Sequence, residues 1–593
     1  MAEAAGHKAG SPVDQPGLSA RCESPGASPV SNSLRECIAR HARDRPETIA
    51  LTLVDATPTR MTYAELDNAC TRSAGYLYRQ GVRRDDLVLI VALEPGDAIE
   101  TLLGALHLGA LPSIVPCRVP LPGKDVLSRQ VGSLAQTFGS RFIVTKPVFA
   151  GSMTRHCQGL DCRVMVPATH ESPEQANDAP PRGDDRIASE RTEYVQFTSG
   201  STGQAKGVRI SSRATMQFIE SFSRDLGLQP TDSIASWLPL SHDFGLFAGL
   251  ALPLARGIPV SIMSTLRFLR RPGDLLTSIG RERSTVCWII NFAMRHVARF
   301  LETRPDFSSD LRSIRILGTG GEPIRSDSCE TFFRQTARMG LRREHLVCGY
   351  GMAESTLAVS VTPPGKPPRI DRIDKATLRD SRRSVRSNAG IGETMEVVSC
   401  GRPLSNATVA ISDRSGTILP DRFAGEIVIK STSMFSGYLG AKGARAADAW
   451  FRTGDEGYLA DGELFVLGRL DDTINMGGEK ILPSEIERVV EAMPPIKTGS
   501  AAAFGVCDER RGTATAVVVA TRDRSRDDRD LADIALEVRG QVTRALGIVL
   551  DDVLIFERTW IERTVNGKIA RGPTRDKYLA YRAYRREQLD LSR

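Results

Sequence analysis

A run of seven apolar residues at 87–93, Leu-Val-Leu-Ile-Val-Ala-Leu, is the feature that most constrains the fold of this chain. The run lacks the polar and apolar alternation of a half-exposed strand, so it predicts a strand that is buried on both faces. A helical pattern follows at about 99–108, and another strand pattern lies at 111–115. The same alternation resumes at 194 and continues past 346. Buried strands that alternate with helices predict a parallel sheet and an α/β fold.

The length of 593 residues predicts several structural units, because one hydrophobic core rarely grows beyond about 250–300 residues. Residues 1–30 are rich in Ala, Gly, Ser and Pro and predict a disordered leader. Residues 31–400 carry the α/β pattern. Between 401 and 468 the strand patterns are short and separated by glycine turns, which predicts a small β subdomain. Residues 469–593 show a new helix and strand pattern and are long enough for a C-terminal domain.

Composition and charge exclude several classes of protein. Lys and Arg number 78 and Asp and Glu 71, so the net charge of +7 is small for a dedicated nucleic-acid-binding protein. The 11 cysteines are scattered without a Cys-x-x-Cys pair, which argues for reduced thiols in the cytoplasm and against disulfides or structural zinc. The longest apolar stretch, 247–263, is broken by Arg256 and two prolines, so we expect no membrane-spanning helix.

The segment with the clearest chemical meaning is Phe197-Thr-Ser-Gly-Ser-Thr-Gly-Gln-Ala-Lys-Gly207, which follows a strand pattern. It contains three glycines, four hydroxyl side chains and one lysine. Such a loop directs backbone N–H groups and hydroxyls at phosphate oxygens. It is not a Walker loop, because no Gly-Lys-Ser or Gly-Lys-Thr follows at the required spacing. A flexible surface turn is the alternative interpretation.

Four further motifs follow along the chain: Gly349-Tyr-Gly-Met-Ala-Glu-Ser-Thr356, Trp450-Phe-Arg-Thr-Gly-Asp-Glu-Gly-Tyr458, Gly468-Arg-Leu-Asp-Asp472 and Thr564-Val-Asn-Gly-Lys568. With the glycine- and hydroxyl-rich loop, their order and spacing resemble the adenylate-forming superfamily of acyl-CoA synthetases, peptide-synthetase adenylation domains and luciferases. The resemblance covers about residues 33–580. It implies a large N-terminal domain of stacked mixed and parallel sheets with helices, and a smaller, mobile α+β C-terminal domain.

The reaction of this superfamily gives the motif residues their expected roles. A carboxylate attacks the α-phosphorus of ATP, pyrophosphate leaves, and the acyl-adenylate is passed to a thiol. By the resemblance, the expected catalytic residues are Lys568, Glu354, Thr198 and His242. Glu354 is also expected to coordinate Mg²⁺, a hard cation that prefers carboxylate and phosphate oxygens. ATP and Mg²⁺ are therefore the implied cofactors, with no tightly bound organic cofactor.

The resemblance also assigns a contact to each part of the nucleotide. The loop from Thr198 to Lys206 is expected to hold the β and γ phosphates, and Tyr350 is expected to stack on adenine. Asp455 is expected to accept hydrogen bonds from the ribose hydroxyls. The complete expected set is Thr198, Ser199, Gly200, Ser201, Thr202, Gly203, Lys206, Gly320, Gly321, Glu322, Gly349, Tyr350, Gly351, Met352, Asp455, Arg469 and Lys568.

The C-terminal domain supplies the remaining expected parts of the site. Lys568 is expected to reach the α-phosphate and the attacking carboxylate. Asp471 lies where the superfamily has its hinge, about which this domain turns between the two half-reactions. Gly477 and Gly478 would face the incoming thiol, where the absence of side chains leaves room for a pantetheine arm. Taken alone, each motif residue also has an ordinary structural interpretation, such as a cap, a turn or a solvated lysine.

Three features resemble one branch of the superfamily, the fatty acyl-AMP ligases. Ser236-Trp-Leu-Pro-Leu-Ser-His-Asp-Phe-Gly-Leu246 is similar to their Trp-Leu-Pro-x-x-His-Asp-x-Gly-Leu signature. Asn291-Phe-Ala293 and Gly320-Gly-Glu-Pro323 resemble two further sequence blocks. The segment 363–398 lies where these ligases carry an insertion that is associated with restrained domain motion and with transfer to an acyl carrier protein. A fatty acid and a separate holo acyl carrier protein are the implied substrate and partner.

Side chains in these blocks are expected to line the acyl pocket. His242 is expected beside the reacting carboxylate, although a buried histidine bonded to backbone fits the pattern equally well. Phe244, Phe247 and Phe292 are candidate walls, although apolar residues at such spacing are more often core. The expected substrate-binding set is Trp237, His242, Asp243, Phe244, Phe247, Asn291 and Phe292.

The insertion also carries an excess of positive charge. Between 361 and 390 there are eight basic side chains and three acidic ones, a net charge of +5. Because carrier proteins of this kind are acidic, the strip is a candidate steering surface. The alternative is a solvated loop whose charges have no role in binding.

Three other functions remain open on the sequence. An acyl-CoA synthetase would use CoA as the acceptor, and the insertion argues against it. In an amino-acid adenylation enzyme, Asp243 would pair with the substrate's amino group. A catalytically silent scaffold would not need Lys206, Glu354, Asp455 and Lys568, all of which are present. Only 25 residues follow Lys568, too few for a carrier domain, so the acceptor thiol is expected on a separate polypeptide.

Overall fold

The structure is a computed structural model that describes residues 33–92, 94–116, 124–167, 190–199, 205–390, 393–441, 449–476, 479–508, 513–563 and 569–591. The expected leader at 1–30 lies outside these ranges. Within them, no helix combines the length and the apolar character that a membrane crossing requires.

The described ranges contain α-helices with the following bounds: α1 Leu34–Asp44, α2 Tyr63–Arg79, α3 Pro95–Leu108, α4 Lys124–Phe138, α5 Pro147–His156, α6 Ser212–Asp225, α7 Leu252–Arg256, α8 Thr265–Arg270, α9 Pro272–Glu282, α10 Asn291–Thr303, α11 Ser326–Thr336, α12 Lys375–Ser381, α13 Pro483–Glu491, α14 Leu531–Leu546 and α15 Arg571–Leu591. A π-helix spans Phe244–Ala251 and runs directly into α7.

The strands have the following bounds: β1 Ile49–Val54, β2 Thr59–Thr62, β3 Leu87–Val91, β4 Leu111–Ile114, β5 Phe142–Thr145, β6 Arg163–Met165, β7 Thr192–Ser199, β8 Ala205–Ser211, β9 Ile234–Ser236, β10 Val260–Met263, β11 Val286–Trp288, β12 Ile316–Thr319, β13 Leu346–Gly351, β14 Ala358–Val361, β15 Ile370–Asp374, β16 Thr394–Val398, β17 Arg402–Pro403, β18 Ala407–Ser412, β19 Gly425–Ser431, β20 Gly437–Tyr438, β21 Phe451–Ala460, β22 Glu463–Arg469, β23 Ile474–Met476, β24 Glu479–Ile481, β25 Ile496–Asp508, β26 Thr513–Arg522 and β27 Leu550–Phe556.

Two sheets form the centre of the N-terminal region. The larger has nine strands in the order β17-β14-β13-β12-β11-β9-β10-β1-β2, with parallel pairs from β13 to β1 and antiparallel pairs at both edges. The smaller, β4-β3-β5-β6, is parallel throughout. Every residue of β3 is buried, so the strand predicted from the apolar run at 87–93 is confirmed, as is the α/β class.

The parallel strands of the nine-stranded sheet determine which loops lie side by side. Because the carboxyl ends of parallel strands meet at one edge of a sheet, the segments that follow β11, β12 and β13 lie next to one another. In a third sheet, β20-β8-β7, strand β8 contacts the turn Ala353–Ser355 that follows β13. Its strands β7 and β8 are antiparallel, with Ser199 opposite Ala205, so they hold the two ends of the glycine- and hydroxyl-rich loop.

The rest of the chain forms smaller sheets. An antiparallel sheet, β18-β19-β21-β22, lies in the segment for which a β subdomain is expected. Beyond it, the hairpin of β23 and β24 precedes the sheet β25-β26-β27, which α13, α14 and α15 contact. Buried residues of this last region, among them Ile486, Val518 and Val538, form a hydrophobic cluster separate from the large N-terminal one. A core of its own is what a separate domain requires.

The segment 363–398, which is expected to be an insertion, is folded onto the sheet β18-β19-β21-β22. Its strands β15 and β16 pair along their whole length, with α12 between them in the sequence. Asp371 on β15 is 2% exposed and accepts hydrogen bonds from Arg386 and Arg422 at 3.1 Å and from the Tyr458 hydroxyl at 3.0 Å. A buried carboxylate with these partners anchors the insertion to β21 and to the turn before β19.

Most basic side chains of the insertion pair with acids of this chain. The pairs are Arg369 with Asp461, Arg372 with Glu396, Lys375 with Glu485, Arg379 with Asp380, Arg382 with Glu456 and Arg386 with Asp371. Several of the acids lie outside the window in which the charge was counted. The excess positive charge read from the sequence is therefore largely neutralised within the fold, which weakens the interpretation as a steering surface.

Candidate active site

A cavity of about 3090 Å³ lies at the carboxyl edge of the parallel strands and extends between the N-terminal region and the C-terminal domain. The sequence-predicted residues that line it are Thr198, Lys206, His242, Asp243, Phe244, Asn291, Phe292, Gly320, Gly321, Glu322, Gly349, Tyr350, Gly351, Met352, Glu354, Asp455, Arg469 and Asp471. The fold thus brings most of the described residues predicted for the nucleotide, the substrate and the hinge to one cavity.

Some predicted residues are elsewhere. Gly200, Ser201, Thr202 and Gly203 lie outside the described residues, as do Gly477, Gly478 and Lys568, while Ser199 is described as the last residue of β7. Trp237 and Phe247 are 2% exposed and lie in the core, off the cavity wall. The Trp237 ring stacks on Phe268 at 3.9 Å, and the Phe247 ring meets Tyr194 edge-on at 6.2 Å.

The described part of the phosphate-loop motif consists of its two ends. Thr198 and Lys206 are cross-strand partners on β7 and β8, and both line the cavity. Nζ of Lys206 lies 5.4 Å from the ring centroid of Tyr438 on β20. This distance is within the range of a cation–π interaction, so the tyrosine ring supports the lysine at the cavity wall.

Glu354 is held by the same tyrosine. It lies in a short 3-10 turn, Ala353–Ser355, immediately after β13. Its Oε1 accepts a hydrogen bond from the Tyr438 hydroxyl at 2.8 Å, and its carbonyl accepts one from the Phe435 N–H at 2.8 Å. Burial and the neighbouring Glu354 carboxylate raise the pKa of the Tyr438 phenol, which therefore stays a hydrogen-bond donor at neutral pH.

The donor set around Glu354 decides what kind of metal it can hold. Within the described ranges there is no group of three or more His, Cys, Asp or Glu side chains that could hold a metal ion. Mg²⁺ usually binds through one or two carboxylates together with waters and substrate phosphates, so a single cavity carboxylate suits it. Zinc in a structural site would need four protein ligands.

Tyr350, Asp455 and Arg469 form a second cluster on the cavity wall. Asp455 and Arg469 are cross-strand partners on β21 and β22. The Tyr350 hydroxyl donates to Oδ2 of Asp455 at 2.7 Å, and Nε of Arg469 lies 3.0 Å from Oδ1 of the same carboxylate. Burial and Asp455 raise the pKa of Tyr350 well above its ordinary value. The cluster therefore offers the cavity a neutral phenol ring, a carboxylate and a cation.

The segment after β12 passes very close to β13. A Cβ on Gly320 would lie 2.7 Å from the carbonyl oxygen of Gly349, so only glycine fits there. Two residues further on, Oε1 of Glu322 accepts a hydrogen bond from the Phe292 N–H at 2.7 Å, at the first turn of α10. A carboxylate at the N-terminus of a helix is a favourable arrangement, and it fixes this segment against the start of α10.

Three of the predicted acyl-pocket residues, His242, Asp243 and Phe244, lie at the start of the π-helix. Nδ1 of His242 and Oδ1 of Asp243 are 2.5 Å apart, and the Phe244 N–H lies 2.7 Å from that oxygen and 3.1 Å from that nitrogen. Asp243 caps the π-helix, and its side chain is 11% exposed. These contacts fix the start of the π-helix, where His242 and Phe244 line the cavity, and the Phe244 ring meets Trp288 at 5.6 Å.

On the C-terminal side, a backbone bridge joins Arg563 and Ile569, the described residues on either side of the segment that contains Lys568. Both bridge residues line the cavity. Two residues beyond the bridge, Arg571 donates to both carboxylate oxygens of Glu487 at 2.8 Å and to Asp472 at 2.7 Å. Asp472 follows the expected hinge residue directly. Arg571 therefore ties the start of α15 to Asp472, the residue next to the expected hinge position.

A further ion cluster joins the C-terminal domain to the N-terminal region. Glu491, at the end of α13, is nearly buried and accepts from Arg325 at 3.2 Å and from Arg295 at 3.3 Å. Burial raises the pKa of Glu491, although Arg325 and Arg295 lower it. The three residues line the same cavity. These ion pairs hold the C-terminal domain against α10 and the start of α11 in this structure.

Sequence reasoning missed Tyr438, Trp288, Glu491 and Arg571. Tyr438 and Glu491 belong to none of the motifs, and their partners lie 84 residues away or more. Arg571 could have been noted, since it follows Lys568 by three positions and a buried arginine needs acidic partners. Trp288 lies next to a recognised block, but nothing in the sequence shows that its ring faces the cavity.

Comparison with known proteins agrees with this geometry. The model of the AMP-binding enzyme family matches residues 38–439, which is more than half of the chain. The chain belongs to this family. Among solved structures, a chain from a study of fatty acyl-adenylate ligases from E. coli and L. pneumophila has a TM-score of 0.83 and 25% sequence identity, covering 93% of this chain and 98% of that one.

Two relatives are similar over nearly their full length. The medium-chain fatty acid (acyl-carrier-protein) ligase JamA of Moorena producens is 31% identical over 538 residues, which cover 88% of this chain and 90% of JamA. The long-chain fatty acid AMP ligase FadD32 of Mycolicibacterium smegmatis is 27% identical over 613 residues, which cover 93% and 95%. The predicted adenylate-forming enzyme and the resemblance to fatty acyl-AMP ligases are confirmed.

Proposed function

We propose that this protein activates a fatty acid with ATP, releases pyrophosphate to form an acyl-adenylate, and then transfers the acyl group to the phosphopantetheine thiol of a separate acyl carrier protein. One observation carries the proposal. A single cavity is lined by the ends of a phosphate-type loop, by a carboxylate, by a tyrosine–aspartate–arginine cluster and by an apolar end that begins at His242. Each part corresponds to one part of an acyl-adenylate.

The charges of the cavity suit the first half-reaction. A fatty acid has a carboxyl pKa near that of Glu, about 4.3, so it is ionised at neutral pH and attacks without a general base. The barrier lies in bringing this anion to a triphosphate, which requires cations and oriented donors. Lys206 lines the cavity, and the loop that ends at Lys568 has its base there. We assign Lys568 to the α-phosphate and Lys206 to the leaving pyrophosphate.

Glu354 is the residue proposed to hold Mg²⁺, which supplies charge neutralisation at the phosphates when bound. The Tyr438 hydrogen bond orients the carboxylate toward the cavity before any metal arrives. Asp455 is proposed for the ribose hydroxyls, since an ionised carboxylate accepts two hydrogen bonds readily. Tyr350 is proposed to provide a ring for adenine, and the chain at Gly320 and Gly321, which lines the same cavity, is proposed to contact its edge.

The acceptor is assigned from the insertion and the relatives. Lys375 in the insertion pairs with Glu485 of α13 at 3.1 Å, so the insertion contacts the C-terminal domain directly. Such a contact restrains the rotation that would bring another face of the domain to the cavity. JamA is named as a ligase that loads an acyl carrier protein, which supports the same acceptor here. A cytoplasmic enzyme with a separate holo carrier protein is the proposed setting.

The decisive experiment identifies the adenylate. The purified protein is incubated with ATP, MgCl₂ and a pool of linear fatty acids and amino acids, and the adenylates are identified by mass spectrometry. We expect fatty acyl-adenylates and no aminoacyl-adenylates. Aminoacyl products, or no adenylate from any acid, would contradict the proposal.

A second experiment identifies the acceptor. CoA and a holo acyl carrier protein are offered at equal concentration to enzyme that has formed acyl-adenylate, with the apo carrier protein as the matched control. We expect a thioester on the holo carrier protein and none on the apo form. Transfer to CoA at a higher rate than to the carrier protein would assign the enzyme to the acyl-CoA synthetases.

A further inference from the structure

Three aromatic rings close the apolar end of the cavity. Phe222 comes from α6, Phe244 from the π-helix and Trp288 from the end of β11, and all three line the cavity. The ring centroids of Phe244 and Trp288 are 5.6 Å apart, and those of Phe222 and Trp288 are 6.0 Å apart. These separations are those of aromatic rings in direct contact. The indole lies between the two phenyl rings.

The rings are backed by solid core. Phe218 is fully buried and stacks on Phe222 at 4.9 Å. Ala248 is also fully buried, and its carbonyl accepts a 2.8 Å hydrogen bond from Nε1 of Trp288. Neither Phe218 nor Ala248 is on the cavity wall. The cavity therefore ends at the rings, and the hydrogen bond fixes the indole in place.

The neighbouring strand makes room for the indole. Trp288 on β11 is the cross-strand partner of Gly318 on β12. A Cβ on Gly318 would overlap Cζ3 of the indole. The indole ring therefore packs against the backbone of Gly318. It covers the face of the sheet at the apolar end of the cavity. Because Gly318 has no side chain, the large indole of Trp288 fits over it.

We propose that Trp288 sets the upper limit on acyl-chain length, so that the enzyme uses short- and medium-chain acids and rejects long-chain ones. The inference rests on the proposed function, because it takes the apolar end of the cavity as the place of the acyl chain. His242, expected at the carboxylate, and Phe244, at the closed end, are two residues apart, so their Cα atoms are separated by at most about 7 Å. The residue expected at the carboxylate and a residue of the ring cluster are therefore held by one turn of the chain.

Chain length should affect the rate in two opposite ways. Each methylene that fits into an apolar pocket improves kcat/KM by about fourfold. A methylene that does not fit must displace a buried ring in a close-packed core, which costs more than it gains. We expect kcat/KM to rise with chain length and then to fall sharply between two successive even-numbered acids.

The test measures pyrophosphate release with linear acids from butanoic to hexadecanoic acid, for the wild type, Trp288→Ala and Trp288→Leu. We expect the wild-type optimum at medium length and a fall of at least about tenfold for the longest acids. Both variants should move the fall to longer acids and raise the long-to-medium ratio of kcat/KM by at least about tenfold. Because the readout is a ratio between substrates, loss of folded enzyme cancels, and Trp288→Leu serves if Trp288→Ala does not fold.

Phe332→Leu is the matched control, since Phe332 is a buried aromatic residue of α11 that does not line the cavity. It should leave the ratio unchanged. A wild type that uses hexadecanoic acid as well as octanoic acid, or folded Trp288 variants with the wild-type ratio, would overturn the inference while leaving the proposed function intact. No adenylate from any acid would refute both.

Discussion

The hydroxyl of Tyr438 donates a 2.8 Å hydrogen bond to Glu354, although 84 residues separate the two in the sequence. The ring of the same tyrosine lies 5.4 Å from Nζ of Lys206. One side chain therefore holds the proposed metal ligand and the proposed phosphate-binding lysine at a fixed separation. Donors and cations that are positioned before the substrate arrives need no reorganisation during the reaction, which is the main source of electrostatic catalysis.

Replacing Tyr438 by Phe removes the hydroxyl and keeps the ring beside Lys206. A hydrogen bond to a charged group contributes about 1.5–3 kcal/mol, part of which water replaces, so we expect adenylation to slow by about five- to tenfold. The magnesium concentration for half-maximal rate should also rise, because Glu354 loses its orientation. Initial rates across a magnesium series measure both effects.

Tyr63→Phe is the matched control for this substitution. Tyr63 is buried in the N-terminal core, and its hydroxyl donates to the carbonyl of Leu254 at 3.3 Å, away from the cavity. Its loss should lower stability without changing the magnesium dependence. If Tyr438→Phe behaves in the same way, Tyr438 has only a structural role.

Lys568→Ala should separate the two half-reactions. A charge that acts only in the transition state of adenylation is worth about 3 kcal/mol, so pyrophosphate release should fall by about a hundredfold or more. Transfer from a preformed acyl-adenylate should change little. Lys146→Ala, which removes a lysine on the surface of the N-terminal region, is the control. Equal losses in both half-reactions would contradict the assignment of Lys568.

The sequence predicts the strands of the main sheets well because a strand buried on both faces is uniformly apolar, as β3 shows. It also predicts which loop lies between β7 and β8, since the motif begins in a strand pattern. It does not predict which apolar residues near His242 face the cavity. Phe244 and Phe247 are three residues apart and would share a face in an α-helix. The wider π-helical turn separates them, so that Phe247 packs onto Tyr194 in the core.

The charges of the insertion do not predict a binding surface, because local sequence does not show which acids they pair with. Counting within a window treats every charge as free, but the partners of Arg369, Lys375 and Arg382 are acids at 461, 485 and 456. Only the folded chain brings these groups together. Long-range pairs of this kind, like Tyr438 with Glu354, have no signal in local sequence.

Arg571→Lys should impair adenylation more than transfer. Arg571 binds Glu487 with two parallel hydrogen bonds and Asp472 with a third, and a lysine ammonium cannot reproduce this planar fork. We expect a loss of about 1–3 kcal/mol in the free energy of unfolding. Because α15 begins at Arg571, three residues after Lys568, a less firmly held helix start should position the lysine less well, and pyrophosphate release should fall by about tenfold.

Arg529→Lys is the control for Arg571, since Arg529 also makes a forked contact, with Asp527, but at the surface of the C-terminal domain. The two variants are compared by thermal unfolding and by separate assays of the two half-reactions. An Arg571→Lys enzyme that is destabilised yet adenylates at the wild-type rate would show that Arg571 only supports the domain.

Asp371→Asn should release the insertion from the β subdomain. Asp371 is buried, and although burial raises the pKa of its carboxyl, hydrogen bonds from Arg422, Arg386 and Tyr458 hold that pKa below the ordinary value. Removing one partner from a buried ion cluster leaves uncompensated charge, so we expect a loss of about 2–4 kcal/mol in the free energy of unfolding at neutral pH. Asp380→Asn, at an exposed pair with Arg379, should change it by less than about 0.5 kcal/mol.

The pH dependence of this loss tests its origin. A carboxyl whose pKa is lowered on folding stabilises the protein above its unfolded pKa, about 3.9, and this contribution disappears as the pH falls through the folded pKa. The difference in denaturation midpoint between wild type and Asp371→Asn should therefore be constant from about pH 5.5 to 8 and shrink below about pH 4. A difference that persists unchanged in acid would mean that Asp371 acts through shape or neutral hydrogen bonds, and that its charge does not hold the insertion in place.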